Sequence, residues 1–191
     1  MSSSIRFFVS AILLFVIHSA FAQSLEYVEN KGQWDSKVNF RGDFTTGSFF
    51  LENKGFTVLL HNPADLQRLA EIQHGHTSGN SNSGPTPASS TNAQPPVNTY
   101  PAVTLRSHAY KVNFLGSSNS IQAIPDKVLP TYNNYFVGND ASKWAGDCKI
   151  YQAVTYKNLY PNIDVRYYSE GDQLKYDLVV RPGGNPNAIA M

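Results

Sequence analysis

Apolar and polar residues alternate most clearly in the last third of the chain, over residues 163–167 and 174–178. An alternation of period two is typical of a β-strand with one buried and one solvated face. Between the two runs lies Ser-Glu-Gly-Asp-Gln (residues 169–173), a sequence rich in turn-forming residues. The pattern therefore predicts a β-hairpin.

Charge fixes the register of this predicted hairpin. With Gly171 and Asp172 as the two-residue loop, Arg166 lies opposite Asp177, whereas a loop one residue earlier would place Arg166 opposite Lys175. Opposite charges across strands stabilise a pair and like charges oppose it, so we predict the Gly171–Asp172 loop. The buried face then carries Ile163, Val165, Tyr167, Tyr176, Leu178 and Val180.

Residues 38–44, 103–115 and 151–156 are further predicted strands. The tetrapeptide Glu-Asn-Lys-Gly occurs at residues 29–32 and 52–55, and we interpret both copies as the same turn chemistry. The second copy predicts a hairpin in which Gly55 adopts the left-handed conformation. A helix is predicted from the N-cap Asn62 and Pro63 to about Ile72.

Residues 77–99 contain no charged residue and almost nothing apolar, so they cannot offset their ordering entropy and are predicted to form a disordered linker. The expected fold is all-β and mainly antiparallel: a β-sandwich or partly open barrel with one or two short helices and this long loop. One β-rich domain over residues 23–191 is expected. Because another apolar stretch begins at residue 188, we expect the domain to be truncated at its C-terminus.

The first 22 residues have the layout of a secretory signal peptide. Arg6 is followed by an apolar run over residues 7–17 and by the small-x-small site Ala20-Phe21-Ala22. The alternative, a membrane anchor, needs about 20 apolar residues, and this run is shorter. We therefore expect cleavage after Ala22 and an exported protein, extracellular or on the outer cell surface.

Net charge and cysteine content bear on the possible binding partners and on disulfide formation. Without Arg6, Lys plus Arg falls from 15 to 14, against 14 for Asp plus Glu. A neutral chain has no general attraction to nucleic acid or to an anionic membrane. Cys148 is the one cysteine, so an intrachain disulfide is excluded. Burial as a small apolar residue is favoured over a reactive or intermolecular thiol.

No residue pattern predicts a catalytic site or a cofactor. The chain lacks a Gly-x-Ser-x-Gly elbow, and nothing near Cys148 or His108 supports a dyad. His74 and His76 come closest to a metal site, with His61 and His108 as conceivable further ligands, but they adjoin the predicted linker. Asp164 and Asp177 alternate with cations and are interpreted as a solvated outer face.

Three other polar and aromatic positions have predicted structural roles. Asp140 is expected to cap a short helix that runs through Lys143 and Trp144. Trp34 and Trp144 are expected to pack in a core or at its edge, although exposed tryptophans could stack on sugars.

Several sequence blocks resemble a known family. They are Val-Glu-Asn-Lys-Gly-Gln-Trp (residues 28–34), Asn-Tyr-Phe-Val-Gly-Asn-Asp (134–140) with Lys143 and Trp144, and Leu-Tyr-Pro-Asn-Ile-Asp-Val (159–165), followed by Tyr176-Asp177 and Pro182-Gly183. In this order they are similar to an N-terminal domain of unknown function in large secreted Bacteroidota proteins. Such proteins carry SBBP-type β-propeller repeats, PKD modules and a gliding-motility-associated sorting domain for type IX secretion. The resemblance implies no catalytic residues.

The sequence thus favours a non-catalytic structural or interaction module, active in adhesion or in presenting downstream repeats. Its expected partners are the downstream domains of the same polypeptide and an extracellular protein or glycan. Export and abundant tyrosine and tryptophan favour, as an alternative, a carbohydrate-binding or carbohydrate-active domain. A metal-dependent hydrolase would require His74 and His76 to be ordered beside other ligands.

Overall fold

A computed structural model describes residues 25–73, 103–171 and 173–191. The strands, in chain order, are β1 (Tyr27–Glu29), β2 (Val38–Phe44), β3 (Gly47–Glu52), β4 (Gly55–His61), β5 (Ser107–Asn113), β6 (Gln122–Tyr135), β7 (Ala145–Tyr160), β8 (Ile163–Ser169) and β9 (Leu174–Val180). In the described part of the chain there is one α-helix, α1 (Pro63–Gln73), which follows β4. Two 3₁₀ turns span Ala141–Lys143 and Pro186–Ala188.

All nine strands belong to one antiparallel sheet that curls into a half-barrel. The order along the sheet is β5-β4-β3-β2-β1-β7-β8-β9, and β6 pairs with β7 outside this path. The expected all-β fold is therefore confirmed. Among the described residues, no helix is long and apolar enough to cross a bilayer.

Strand β7 joins the two halves of the sheet. One of its edges pairs with β6, while the other pairs first with β1, at Ile150 and Tyr151, and then with β8, at Val154 to Tyr160. Tyr151 packs against the main core, as do Val154 and Tyr156, although Tyr151 points to the opposite side of the strand. The side of β7 that faces the main core therefore changes between Tyr151 and Val154. As a result, strands β8 and β9, which form one wing of the sheet, pack over strands β1–β5, which form the other wing.

Aromatic side chains fill the space between the two wings. Rings from both wings meet at Phe56 and Tyr167, 5.9 Å between centroids, and at Phe114 and Tyr176, 6.4 Å apart. The fully buried members of this core include Tyr27, Phe49, Leu51, Val154, Tyr156, Leu159, Ile163, Val165 and Tyr167. Such burial is the main source of stability in a chain without a disulfide.

The core tyrosines differ in whether their hydroxyl groups are paired. Burial raises the pKa of Tyr27, Tyr156 and Tyr167, so all three stay protonated at physiological pH. Tyr156 Oη accepts a hydrogen bond from Asn39 Nδ2 at 3.3 Å. Tyr27 Oη is buried and finds no partner among the described residues.

We predict that Tyr27→Phe raises the free energy of unfolding by about 1 kcal/mol, because it removes a buried hydroxyl that makes no hydrogen bond. Tyr156→Phe, the matched control, should lower it by about 1 kcal/mol because it removes a hydrogen-bonded hydroxyl. Urea denaturation followed by circular dichroism measures both changes. A Tyr27→Phe protein less stable than wild type would contradict the described environment of Tyr27.

The predicted β8–β9 hairpin is confirmed. Arg166 pairs with Asp177 and Tyr168 pairs with Lys175, the register that cross-strand charge predicts. Of the six side chains assigned to its buried face, Ile163, Val165 and Tyr167 on β8 are buried. For β9 the prediction is wrong at two of three positions: Leu178 is half-buried, whereas Tyr176 and Val180 are exposed, because β9 forms the rim of the half-barrel.

The two Glu-Asn-Lys-Gly copies form different structures, contrary to the prediction. The second is a two-residue hairpin loop, in which Glu52 pairs directly with Gly55. Gly55 is not left-handed but nearly extended, with φ of 159°. Glycine is needed there because a Cβ would lie 1.9 Å from the Val112 carbonyl oxygen of β5. The first copy opens a longer loop, residues 30–37.

The two predicted N-caps are confirmed, and the three further predicted strands are present. Asn62 Oδ1 accepts hydrogen bonds from the N–H groups of Ala64 and Asp65, which confirms the N-cap of α1. Asp140 Oδ1 accepts from the Ser142 N–H, which confirms the second cap. Strand β2 has the predicted bounds, β5 is shorter than predicted, and β7 is longer. The predicted signal peptide and linker lie outside the described residues.

Candidate functional site

The loop over residues 30–37 carries the first block of the family resemblance, and Asn30 organises it. Asn30 Oδ1 accepts hydrogen bonds from the N–H groups of Gly32, at 3.0 Å, and Trp34, at 3.2 Å. Its Nδ2 donates to the carbonyl oxygens of Asp35, at 2.9 Å, and Val38, at 2.7 Å. One side chain thus satisfies backbone groups along the whole loop.

Other polar side chains of the same block attach the loop to distant residues of β7. Lys31 Nζ donates to the Gly146 carbonyl oxygen at 3.1 Å. Gln33 Nε2 donates to Cys148 Sγ at 3.4 Å, and Glu29 Oε1 accepts from the Lys149 N–H at 2.9 Å. We call residues 29–37, with these contacts, the signature clasp.

A second, smaller core lies beneath the signature clasp. It contains Val28, Ala145, Cys148 and Ile150, with Trp34, Leu129 and Tyr135 packed against it. The rings of Trp34 and Tyr135 meet edge to face, 5.2 Å between centroids. Trp34 is therefore a packing residue at the edge of a core, as predicted. Cys148 is fully buried, also as predicted, and burial raises the pKa of its thiol.

Beside the clasp is an open trough of about 530 Å³, lined by residues that include Glu29, Asn30, Trp34, Asn39 and Phe40. Its polar groups are engaged within the protein: Glu29 with Lys149, and Asn39 Nδ2 with Asn53 Oδ1 at 2.7 Å. The Arg41 guanidinium lies over the Trp34 ring, 5.5 Å from its centroid. A sugar would have to displace these contacts to stack there.

The second resemblance block, in contrast, exposes apolar side chains. Phe136 is 62% exposed, Val137 79% and Trp144 45%. The rings of Phe136 and Trp144 meet edge to face at 6.0 Å, and Trp144 Nε1 donates to the Gly138 carbonyl oxygen at 3.2 Å. We call Phe136, Val137 and Trp144 the aromatic tip. Trp144 belongs to neither core, so the prediction that it packs in a core or at its edge is wrong.

Asp164, in the third block, corrects a prediction. It was assigned to a solvated face, yet its side chain is only 1% exposed. Asp164 Oδ2 accepts from Lys157 Nζ at 2.8 Å, and Oδ1 accepts from Arg181 Nη2 at 3.0 Å and from the Asn158 N–H at 2.9 Å. Asp177, its supposed counterpart, is exposed, as predicted.

The Asp164 cluster has the contacts of a structural ion group. Burial alone would raise the pKa of Asp164, but the hydrogen bonds from Lys157 and Asn158, and the charges of Lys157 and Arg181, outweigh it and lower that pKa. The carboxylate is therefore ionised and fully engaged. Arg181 Nε is buried without a partner among the described residues. The cluster links β7, β8 and the end of β9.

A second ion pair attaches α1 to the segment that precedes β5. Asp65 Oδ2 accepts from Arg106 Nε at 2.8 Å, and Oδ1 accepts from Arg106 Nη2 at 2.9 Å. These hydrogen bonds lower the pKa of Asp65 to about 2. No sequence pattern indicated this contact, because the two partners are 41 residues apart.

The lowered pKa of Asp65 predicts that the stability of the protein depends on pH in the acid range. An unfolded aspartate has a pKa of about 3.9, above the folded value of about 2. The contribution of ionised Asp65 to the free energy of unfolding is complete above about pH 4 and is lost as the pH falls toward 2. Unfolding free energies measured across this range should therefore fall less steeply for Asp65→Asn than for wild type. Parallel curves would contradict the contact.

The histidine candidates gain no support as a metal site. His74 and His76 lie outside the described residues. His61 Nδ1 lies 2.8 Å from Ser107 Oγ, and His108 is on the exposed strand β5, whereas Cys148 lies in the second core. Within the described ranges, no three His, Cys, Asp or Glu side chains are placed to hold a metal ion.

Comparison with known proteins gives one assignment. No curated protein and no solved structure matches the chain. A family model described as a domain of unknown function, DUF7948, matches residues 27–191, which include all three resemblance blocks and every strand. The chain therefore belongs to the DUF7948 family of domains of unknown function.

Proposed function

We propose that this protein is a non-catalytic interaction module of an exported or cell-surface protein, and that it contacts an extracellular protein partner through the aromatic tip. The observation that carries the proposal is the difference between the signature clasp and the aromatic tip. The polar groups of the signature clasp are engaged in holding the fold, whereas Phe136, Val137 and Trp144 stay exposed.

The aromatic tip has the chemistry of a protein contact. Tryptophan and other aromatic side chains are enriched where proteins bind one another, because they bury much apolar area with few rotatable bonds. Three further large apolar side chains are exposed along β6: Ile124, Val128 and Tyr132. The net charge of the exported chain is zero, so apolar contact rather than charge would dominate its recognition.

The proposal includes a place in a larger protein. The resemblance supports an N-terminal position in a large secreted Bacteroidota protein, ahead of SBBP repeats, PKD modules and a sorting domain for type IX secretion. The module would then contact an external partner, or present the downstream domains, without carrying out a reaction.

A test of the aromatic tip uses cells that produce the full-length protein. The triple variant Phe136→Ser, Val137→Ser and Trp144→Ser should reduce attachment of these cells to their natural surface by about tenfold. Antibody labelling would establish equal display. The control variant Ile124→Ser, also exposed and on β6, should leave attachment unchanged. Equal attachment by the triple variant would overturn the proposal.

Carbohydrate binding is the second candidate, favoured by the trough beside Trp34. Titration of the protein with soluble oligosaccharides, followed by tryptophan fluorescence, tests it directly. We expect no saturable change, because Arg41 already covers the Trp34 ring. A saturable change that Trp34→Phe abolishes, and Trp144→Phe does not, would establish the second candidate instead.

A further inference from the structure

Strand β9 presents a free edge. It pairs with β8 along its whole length, from Leu174 opposite Ser169 to Val180 opposite Ile163, without a register shift. Among the described strands, none pairs with its other edge. Strand β9 contains no proline and no bulge, two of the usual protections of an edge strand, and Lys175 is the one lysine in it.

Hydrogen bonds at the two ends of β9 establish which backbone groups point outward. The Glu170 N–H donates to the Gln173 carbonyl oxygen, and the Arg181 N–H donates to the Asn162 carbonyl oxygen. Odd-numbered residues of β9 therefore bond toward β8, since bonding direction alternates along a strand. The N–H and C=O groups of Leu174, Tyr176, Leu178 and Val180 consequently point to the free edge.

The sequence of β9 is complementary to itself in one antiparallel register. If two copies pair about a two-fold axis at Tyr176, Lys175 of each copy lies opposite Asp177 of the other, and Leu174 lies opposite Leu178. The Tyr176 pair and the Leu174–Leu178 pairs are then the hydrogen-bonded ones. Each Lys175–Asp177 pair is non-hydrogen-bonded, the geometry in which facing side chains lie closest, with Cα atoms about 4.5 Å apart.

Both charged groups are available for such a pair. Asp177 is exposed, and in the monomer Tyr168 Oη donates to its Oδ1 at 3.3 Å. Lys175 is 40% exposed and makes one loose contact, 3.8 Å from Glu170 Oε2. The apolar side chain at the proposed axis, Tyr176, is 37% exposed.

Strands β6 and β5 also have a free edge among the described strands, but both are less suited to self-pairing. In β6, Pro125 and Pro130 lack N–H groups, and the register shifts between Val128 and Tyr132. In β5, the lysine Lys111 already contacts Glu52 Oε2 at 2.6 Å. No acidic residue occurs in β5 to face a lysine of a second copy.

We propose that two copies of this protein associate through their β9 strands, as an antiparallel, two-fold symmetric extension of the sheet. The pairing is independent of the aromatic tip and of the proposed function. A contact limited to one strand edge is small, so we expect a dissociation constant in the micromolar range.

A charge exchange tests the register. Sedimentation equilibrium should detect a monomer–dimer equilibrium of the wild-type protein at concentrations between about 1 and 500 µM. Lys175→Glu and Asp177→Lys, each alone, should weaken the dimer by about tenfold or more, because each places two like-charge pairs across the axis. The double variant restores both opposite-charge pairs and should return to within about threefold of wild type.

Near-UV circular dichroism checks that each variant keeps its aromatic packing. Should a charge variant fail to fold, an equal mixture of the Lys175→Cys and Asp177→Cys proteins provides a second measurement, since these cysteines would face each other across the axis and be linked by a short bismaleimide. Tyr110→Cys on β5, at an exposed position, is the control and should not be linked. A wild-type protein that stays monomeric, or a dimer insensitive to the single charge reversals, would overturn the proposal.

Discussion

Phe49→Ala is expected to lower the free energy of unfolding by about 4 kcal/mol, the largest change we predict. Phe49 is fully buried, with ring centroids 5.1 Å from Tyr27 and 5.3 Å from Phe44. Its ring also lies over Gly42, where an added Cβ would meet it at 2.1 Å. Truncation removes contacts on several sides and leaves a cavity between elements that pack rigidly.

Phe50→Ala is the matched control, since Phe50 is the next residue on β3 and points to the opposite, partly exposed side. The Arg41 guanidinium lies 5.6 Å from the Phe50 ring centroid, so we expect a loss of about 1 kcal/mol or less. Chemical denaturation of both variants provides the comparison. Equal losses would mean that Phe49 does not lie inside a closed aromatic core.

Asp164→Asn should lower the free energy of unfolding by about 2.5 kcal/mol, because it removes the buried counter-ion of Lys157 and Arg181, whose own side chains are 40% and 41% exposed and so partly screened by water. The backbone conformation adds to this expectation: the Asn158 N–H that donates to Asp164 belongs to a residue with φ of 57°. Asparagine keeps one side-chain oxygen but puts an NH2 donor in place of the other, so either Lys157 Nζ or the Asn158 N–H at the bulge in β7 loses its acceptor.

Asp126→Asn is the control for Asp164→Asn. Asp126 also pairs with an arginine, Arg166, at 3.2 Å, but its side chain is 49% exposed. Surface ion pairs contribute little, so the expected loss is about 0.5 kcal/mol or less. If both variants lost the same amount in urea denaturation, the Asp164 cluster would be no more than a surface ion pair.

Local sequence patterns predict what depends on neighbouring residues. The β8–β9 register follows from Arg166 facing Asp177 across a two-residue loop, and the cap of α1 follows from Asn62 before Pro63. In each case the interacting residues lie within one hairpin or one helical turn. Alternation and capping therefore carry enough information to position them.

The remaining features depend on contacts between distant residues. Strand β6 was not predicted, because Pro125 and Pro130 interrupt its pattern, and prolines are tolerated where an edge faces solvent. Asp164 has the period of a solvated face, yet Arg181, 17 residues away, covers it. Period-two patterning identifies the side of a strand but not what lies over it.

The candidate site was predicted in part. The second block contributes exposed apolar side chains, and one of them, Trp144, was predicted to pack in a core or at its edge. The first block was interpreted as a turn, although Lys31 and Glu29 contact residues of β7 that are 115 and 120 positions away. Only the folded arrangement distinguishes the polar side chains that hold the loop from the apolar ones that remain available to a partner.

The central claim is that the polar residues of the signature clasp hold the fold together and do not form a ligand site. The most direct measurement is the unfolding free energy of Asn30→Ala without any ligand. We predict a loss of about 2 kcal/mol, because five hydrogen bonds of the Asn30 side chain disappear, while Asn119→Ala, at an exposed asparagine, changes little. A stability unchanged or increased by Asn30→Ala would contradict the claim, since that is the behaviour of a residue retained for binding.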